Sequence, residues 1–499
     1  MIWFFLLSGL FLGWSLGAND AANIFGTAVA TRMVKFRLAA LIAAVFVVLG
    51  AVISGAGATE TLGHLGAVNA IAGSFTVALA AGLAVTWMTR LGMTVSTTQA
   101  IVGAIVGWNL FSGTPTDLSS LSTIVASWVV SPILAGAIAA ILYFLTKLFL
   151  AKVNIHLLRE DAYNRLALIV IGAFGAYSLG ANNIANVMGV FVPATPFNSL
   201  HFGKLLMISG KQQLFLFGAL AIGVGIYTYS HRVIKTVGND LFKLTPVTAF
   251  IVVFSESLVL FLFASNTLHF WLLNHGLPAP PLIPLSSSQA VVGAILGLAV
   301  AKGARGIRFR VLGRIAASWV TVPIIAGVLS LLLLFFMKNL FEQQVVADTR
   351  YHLSEKVLTH LRQDGLPVDD LRSLNGESFS HPRELRQALR RTGQFDEMQM
   401  LAIFDAARVD TLGRDTVRVD ESRLTAAQYR ALARLQGRRY LYRWQLGEAL
   451  ARLTPAWEPK QADTPLKQQR RQELLSLVYR VSRVPPGNRS VNSHQEVAP

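Results

Sequence analysis

Asn19, Asp20 and Asn23 stand in Ser15–Gly26, a stretch otherwise made of apolar and small residues. Four positions separate Asn19 from Asn23, so on a helix they share a face, with Asp20 beside it. Strongly polar side chains in such surroundings are costly unless they line a cavity. Amides at that spacing offer N–H donors to an oxyanion or carbonyl oxygens to a cation. Asp20 repels an anion by itself and is suited to hold Na⁺ or a proton beside one. Asn182, Asn183 and Asn186 repeat the arrangement with neutral groups only. The plain alternative is that these amides glue helices together, and recurrence of the pattern argues against it.

A second pair of constellations is Ser96-Thr97-Thr98-Gln99 and Ser286-Ser287-Ser288-Gln289, each directly before Ala-x-Val-Gly-Ala-Ile. Capping a helix takes one hydroxyl, and here there are three. Hydroxyls and the free N–H groups of a helix start can surround a tetrahedral anion without neutralising it. Glu256 lies deep in an apolar run, where a carboxylate needs a partner or a proton. Glu60 is nearer a loop, and solvation there is an equal alternative to an ion-coupling role. Arg90 ends an apolar segment and fits snorkelling to an interface at least as well as a site.

The elements that must hold these residues are membrane helices. The 499 residues are 53% hydrophobic and 14% charged, too few charges to cover a soluble surface of this size. Residues 1–337 hold 18 Lys+Arg and 7 Asp+Glu, whereas residues 338–499 hold 26 and 20. Runs such as Leu38–Val52, Ile71–Met88 and Ala249–Ala264 approach the length of about 20 residues that a crossing needs. The first run lacks a basic start and a cleavage-like end, and is read as a membrane helix rather than a signal peptide. There is no cysteine, which excludes disulfides, thiolate nucleophiles and Cys metal sites.

Ser15–Asn19 recurs as Ser178–Asn182, 163 positions later, and Gln99–Ile105 recurs in Gln289–Ile295, 190 positions later. Ser127-Trp128-Val129 with Pro132 returns as Ser318-Trp319-Val320 with Pro323. The chain therefore divides into repeat 1 (1–160), repeat 2 (161–337) and a tail (338–499). Each repeat reads as five crossing-like segments, near 2–30, 38–57, 70–89, 94–110 and 119–150, then 166–190, 213–230, 246–271, 285–301 and 314–337. The fourth of each set is short and rich in Gly, Ser and Thr, as in a re-entrant hairpin. Gly17 and Gly26 would allow close backbone approach and let the first helix be interrupted, presenting its positive end to an anion. An odd number of crossings inverts one repeat relative to the other.

Arg32, Lys35 and Arg37, Lys147, Lys152 and Arg159, His231, Arg232 and Lys235, and Lys302–Arg314 with Arg305 in it then share one side, with Lys204 and Lys211 as exceptions. The positive-inside rule makes that side cytoplasmic and places both termini outside. This orientation, rather than nucleic-acid binding, explains the basic charge. The fold class expected is an all-α polytopic membrane protein: an inverted-topology repeat with interrupted helices or re-entrant hairpins, plus a small helical C-terminal domain. In the tail, 352–363 and Leu424–Leu453 show helical periodicity, and the end from Pro485-Pro486-Gly487 reads as disordered.

The motifs Gly-Ala-Asn-Asp-x-x-Asn-x-x-Gly at 17–26 and Gly-Ala-Asn-Asn-x-x-Asn-x-x-Gly at 180–189, with Ser-Thr-Thr-Gln at 96–99, resemble the PiT family of inorganic phosphate transporters over residues 1–337. The resemblance implies an inverted-repeat secondary carrier moving phosphate with Na⁺ or H⁺ by alternating access. It implies substrate binding by Asn19, Asn23, Ser96, Thr97, Thr98, Asn182, Asn186, Ser286, Ser287 and Ser288. Ion coupling is expected at Asp20, Asn183, Glu60 and Glu256, with Na⁺ held at Asp20 and Asn183. The family has Asp where this chain has Asn183, which removes one cation ligand and one charge. A sulfate permease of the same architecture is the alternative, and a membrane receptor or scaffold working through its tail is a third reading. The remaining expectations are no enzymatic activity, no cofactor beyond the coupling ion, a small inorganic oxyanion and the lipid bilayer as partners, compatibility with a homodimer, and residence in a bacterial inner membrane.

Overall fold

The computed structural model describes residues 2–66, 68–91, 93, 95–153, 156–194, 197, 200–202, 206–231, 244–303, 308–410, 412–413, 424–458, 471, 474–475, 478–479 and 482. Lys204, Arg232, Lys235, Arg305 and the stretch from Pro485 lie outside the described residues, as does the side chain of Glu60. The chain forms two compact units, one of residues 1–112, 116–269 and 280–347, the other of residues 113–115, 270–279 and 348–499.

The first unit contains α1 (Ile2–Ala30), α2 (Phe36–Ser54), α3 (Ala56–Leu65), α4 (Ile71–Arg90), α5 (Thr97–Ser112) and α6 (Leu118–Lys152) from the first repeat. From the second come α7 (Leu157–Met188), α8 (Gly210–Thr228), α9 (Pro246–Ala264), the start of α10 (Asn266–Asn274), α11 (Ser287–Ala301) and α12 (Phe309–Asn339). Among the described residues seven helices are long and apolar enough to cross a membrane: α1, α2, α4, α6, α7, α9 and α12. Val129, Ile133 and Phe149 on α6, and Val320, Ile324 and Phe335 on α12, are exposed. Apolar faces of that extent suit lipid, not water.

The ten crossing-like segments of the sequence thus resolve into seven long apolar helices and three of another kind. α5 and α11 have 16 and 15 residues, and at 1.5 Å per residue they reach only about 24 Å, short of a bilayer core of about 30 Å. α8 has 19 residues but opens on Lys211, Gln212 and Gln213. The expected interruption at the Asn motifs is absent. α1 runs unbroken through Gly17 and Gly26, and α7 runs through Gly180 to Met188.

Packing shows the close backbone approach at Gly17 and Gly180. A Cβ at Gly17 would collide with the carbonyl oxygen of Ile222, and one at Gly180 with that of Val47. Gly50 and Gly225 face the carbonyls of Tyr177 and Trp14 in the same manner. Small residues let membrane helices approach backbone to backbone, so α1 lies on α8 and α2 on α7. In the same unit α5 packs on α12 and α6 on α11, while α4 lies on α1 and α9 on α7. Each pairing has a counterpart when the repeats are exchanged. The offset between equivalent residues is 163 at Trp14 and Tyr177, 175 at Gly50 and Gly225, and 190 at Gly103 and Gly293. The first increase falls at the hairpin of β1 (Leu200–Phe202) and β2 (Leu206–Ile208), which precedes α8.

After α12 the chain turns back over the first repeat. Val345 is buried, its carbonyl accepts a hydrogen bond from Trp108 Nε1 at 3.1 Å, and the Ala347 N–H donates to Asn69 Oδ1 at 2.9 Å. Residues 338–347 therefore belong with the membrane unit.

The second unit is helical with short strands. Its described elements are β3 (Tyr351–His352), α13 (Glu355–Gln363), β4 (Ser378–Phe379), α14 (Pro382–Thr392), α15 (Glu397–Ala407), β5 (Leu412–Gly413), α16 (Ala426–Arg434), β6 (Arg439–Tyr440) and α17 (Arg443–Leu453). The helix expected at 352–363 begins at Glu355, because Leu353 is drawn into backbone hydrogen bonds with Gly376 and Glu377. The periodic run Leu424–Leu453 is two helices separated by β6. β3 pairs with β4 and β5 with β6, at positions 61 apart, and α17 follows β6 as α14 follows β4. The tail is itself built on a duplicated strand–strand–helix plan.

Candidate functional site

The two Asn motifs meet. Asn183 Nδ2 donates to Asp20 Oδ2 at 3.2 Å, joining α7 to α1. Asn19 Nδ2 donates to Asp20 Oδ1 at 2.8 Å and to the Val95 carbonyl at 3.1 Å. Its repeat equivalent behaves alike: Asn182 Nδ2 donates to Asn183 Oδ1 and to the Leu285 carbonyl, both at 2.8 Å, and Asn182 Oδ1 accepts from Leu285 N at 2.8 Å. Asn19 and Asn182 therefore pin the segments leading into α5 and α11 against the motif helices. Val95 and Leu285, which the sequence reading passed over, supply the carbonyls. Their 190-position offset, the same as that of the hydroxyl triads, was the available signal.

The hydroxyl triads divide their labour. Ser96 Oγ and Ser286 Oγ accept from the N–H groups of Gln99 and Gln289, both at 3.3 Å, so the first residue of each triad is a helix cap. Ser287 Oγ donates to Asp20 Oδ2 at 2.7 Å. Thr98 Oγ1 donates to the Leu285 carbonyl at 2.9 Å and accepts from Asn186 Nδ2 at 2.8 Å. Asn186 Nδ2 also donates to Asn183 Oδ1 at 3.1 Å, and Ser288 Oγ lies 3.1 Å from Ser286 Oγ. The participants Asn19, Asp20, Asn182, Asn183, Asn186, Thr98 and Ser287 are all buried.

Several polar atoms in this region have no hydrogen-bond partner among the described residues: Thr97 Oγ1, Asn23 Nδ2, Asn186 Oδ1, both amide atoms of Gln99 and Gln289 Oε1. Buried polar groups are normally satisfied, so these are free to meet a ligand. Their chemistry is sorted. Asp20, Asn183 Oδ1, Asn186 Oδ1 and the hydroxyl oxygens of Ser287 and Thr98 gather acceptors at the contact of the motifs. Thr97, Asn23 and the Gln99 amide supply donors on the first repeat, Thr97 and Gln99 beside the N–H groups that open α5. Gln99 and Gln289, absent from the expected ligand set, stand out because their amides are buried.

Glu256 on α9 is also buried, its two carboxylate oxygens have no hydrogen-bond partner among the described residues, and it lies close enough to Asp20 for the carboxylates to interact. Arg90 is exposed in the last turn of α4, away from burial of this kind. The backbone of Glu60 is in α3.

The chain is similar to known proteins over its membrane part. A protein of Methanocaldococcus jannaschii assigned as a phosphate permease is 28% identical over 329 residues, covering 66% of this chain and 95% of its own length. One from Haemophilus influenzae with the same assignment is 25% identical over 424 residues, covering 68% and 96%. Among solved structures, one described as the sodium-dependent phosphate transporter matches with a TM-score of 0.56 at 24% identity, covering 68% of this chain and 98% of its own, which shows the shared fold. The profile of the phosphate transporter family (PHO4) matches residues 16–270 and 282–406, and this multi-pass membrane protein belongs to that family.

Proposed function

We propose that the chain is a secondary carrier that moves inorganic phosphate together with Na⁺ by alternating access. The observation that carries this reading is the junction of Asp20 with Asn183 and Ser287. It brings the carboxylate of one repeat against an amide and a hydroxyl of the other at one buried point, with Asn183 Oδ1 on the same amide. Carboxylate, amide and hydroxyl oxygens suit a hard cation, and the solved transporter of the same fold is described as sodium-dependent. A cation at Asp20 offsets the charge of an anion held by Thr97, Asn23 and the start of α5. Asn23, Ser96, Thr98, Asn186, Ser286 and Ser288 complete the walls, Asn19 and Asn182 hold them in place, and Glu256 is a further ion-coupling carboxylate. No bond is made or broken in the solute, so the activity is transport and not catalysis.

The basic turns at Arg32–Arg37 and Lys147–Arg159 face the cytoplasm in this reading, with a bacterial inner membrane as the setting. The test is uptake of labelled phosphate by proteoliposomes under an inward Na⁺ gradient, a proton gradient or neither, with sulfate as competitor. Na⁺-stimulated phosphate uptake that excess sulfate does not displace is the expected result. Sulfate uptake indifferent to phosphate would identify a sulfate permease instead, and proton-driven uptake without Na⁺ would replace the coupling ion.

A further inference from the structure

The network at the junction of the repeats is only half symmetric. Exchange of the repeats converts Asn19, Asp20 and Asn23 into Asn182, Asn183 and Asn186, and Val95, Thr97 and Thr98 into Leu285, Ser287 and Ser288. Some bonds obey the exchange: Asn19 to the Val95 carbonyl matches Asn182 to the Leu285 carbonyl, and Asn19 to Asp20 matches Asn182 to Asn183. Four others cross between repeats; Asn183 to Asp20 joins two equivalent positions and maps onto itself, and the remaining three have no counterpart. Ser287 donates to Asp20, Asn186 donates to Thr98, and Thr98 donates to the Leu285 carbonyl.

The counterparts would be Thr97 to Asn183, Asn23 to Ser288, and Ser288 to the Val95 carbonyl. Among the described residues Thr97 Oγ1 and Asn23 Nδ2 have no partner, and Ser288 is paired with Ser286. Asn186 is fully buried, whereas Asn23, at the equivalent place, is only half-buried. One set of latches is fastened and the equivalent set is open, although the residues able to fasten both are present.

We propose that these two sets alternate: the opposite-facing state releases Asn186–Thr98, Thr98–Leu285 and Ser287–Asp20, and forms Asn23–Ser288, Ser288–Val95 and Thr97–Asn183. Asn23, Thr97 and Ser288 are then positioning residues of the second state. The pairs that obey the exchange act as the common pivot. The physical basis is that the two arrangements have the same number of bonds and differ in one acceptor, the Asp20 carboxylate against the Asn183 amide; a cation on Asp20 offsets that charge-assisted bond, so the ions can bias the balance between them. The inference rests on the reading of the chain as an alternating-access carrier, but not on which anion it carries.

The absence of native cysteine makes the test direct. One variant carries Thr98→Cys with Asn186→Cys, another Asn23→Cys with Ser288→Cys, and both are treated in native membranes with a short bifunctional thiol reagent. The expected result is that both pairs link, and that changing Na⁺ and inorganic phosphate raises one yield while lowering the other, by about fivefold for one net hydrogen bond's difference. Linking of the first pair alone under every condition, or yields that rise and fall together, would overturn the proposal.

A second measurement needs no substitution. Hydrogen exchange of the wild-type protein, followed in peptides covering 95–100 and 285–290, should change in opposite senses when Na⁺ and phosphate are added. A change in the same sense, or none in either, counts against the alternation and decides the matter should the variants fail to insert. Wild-type proteoliposomes that take up no phosphate would sink the proposed function, while the linking and exchange results would still report on the latches.

Discussion

Every hydrogen-bonding position of Asn182 but one is taken by the protein, and the Leu285 N–H and carbonyl depend on it. Asn182→Ala leaves the buried Leu285 N–H unsatisfied, at about 1–3 kcal/mol, and leaves the Leu285 carbonyl with Thr98 as its remaining donor. The expected outcome is a lower melting temperature in detergent together with lost uptake. Asp20→Asn is a different experiment, because size is kept while the charge goes and one of two accepting oxygens becomes a donor, facing either Asn19 or the pair Asn183 and Ser287. Insertion should be kept and melting lowered by less than in Asn182→Ala, while Na⁺-stimulated uptake falls at least about tenfold, the equivalent of one charged hydrogen bond or more. Normal Na⁺-driven uptake by a well-inserted variant would remove Asp20 from the coupling role. The spacing of the amides was legible in the sequence, since two polar residues four apart share a helix face wherever the helix goes. Which of their atoms remain free was not, because Asn186 and Asn182 are consumed by Thr98 and Leu285 across about 90 and 100 positions of chain.

At the level of helices, the glycines were the part of the pattern most easily misread. Gly17 and Gly26 are compatible with a broken helix as local conformations, but a close neighbour decides the matter, and Gly17 is covered by the Ile222 carbonyl. The free helix ends came instead from α5 and α11, whose shortness was evident from the Ser/Thr-rich starts and the length of the apolar run. Gly180→Ala forces α7 away from the Val47 carbonyl and should cost about 1–3 kcal/mol as overpacking does. Gly63→Ala, within α3 and with no atom within 4 Å of the added Cβ, should be neutral or gain up to about 1 kcal/mol of helix propensity. Thermal melting of the two purified variants, side by side, checks the contrast. Equal melting would mean that the α2–α7 approach is looser than the structure shows.

For the molecule as a whole, charge becomes frequent after residue 337, whereas the compact unit that holds the long apolar helices runs on to Ala347. Periodicity could not reveal why, since the reason is a bond from Trp108 to a backbone carbonyl 237 positions away. The duplicated plan of the tail was equally hidden, because its equivalence lies in strand pairing and not in repeated residue types. Two thirds of this chain accounts for nearly the whole of its relatives. A chain ending after Ala347 should therefore retain phosphate uptake within about a factor of five, a loss of under 1 kcal/mol in transition-state terms. Uptake that disappears from such a chain, once it is shown to insert, would assign the tail an essential part.

Val345 and Ala347 fasten the departing polypeptide to Trp108 and Asn69. Trp108 is near one tip of α5, and Thr97 and Thr98 occupy the other, about 15 Å along the axis. A displacement of the Trp108 end is thereby carried along one unbroken helix to the hydroxyls of Thr97 and Thr98 at the other.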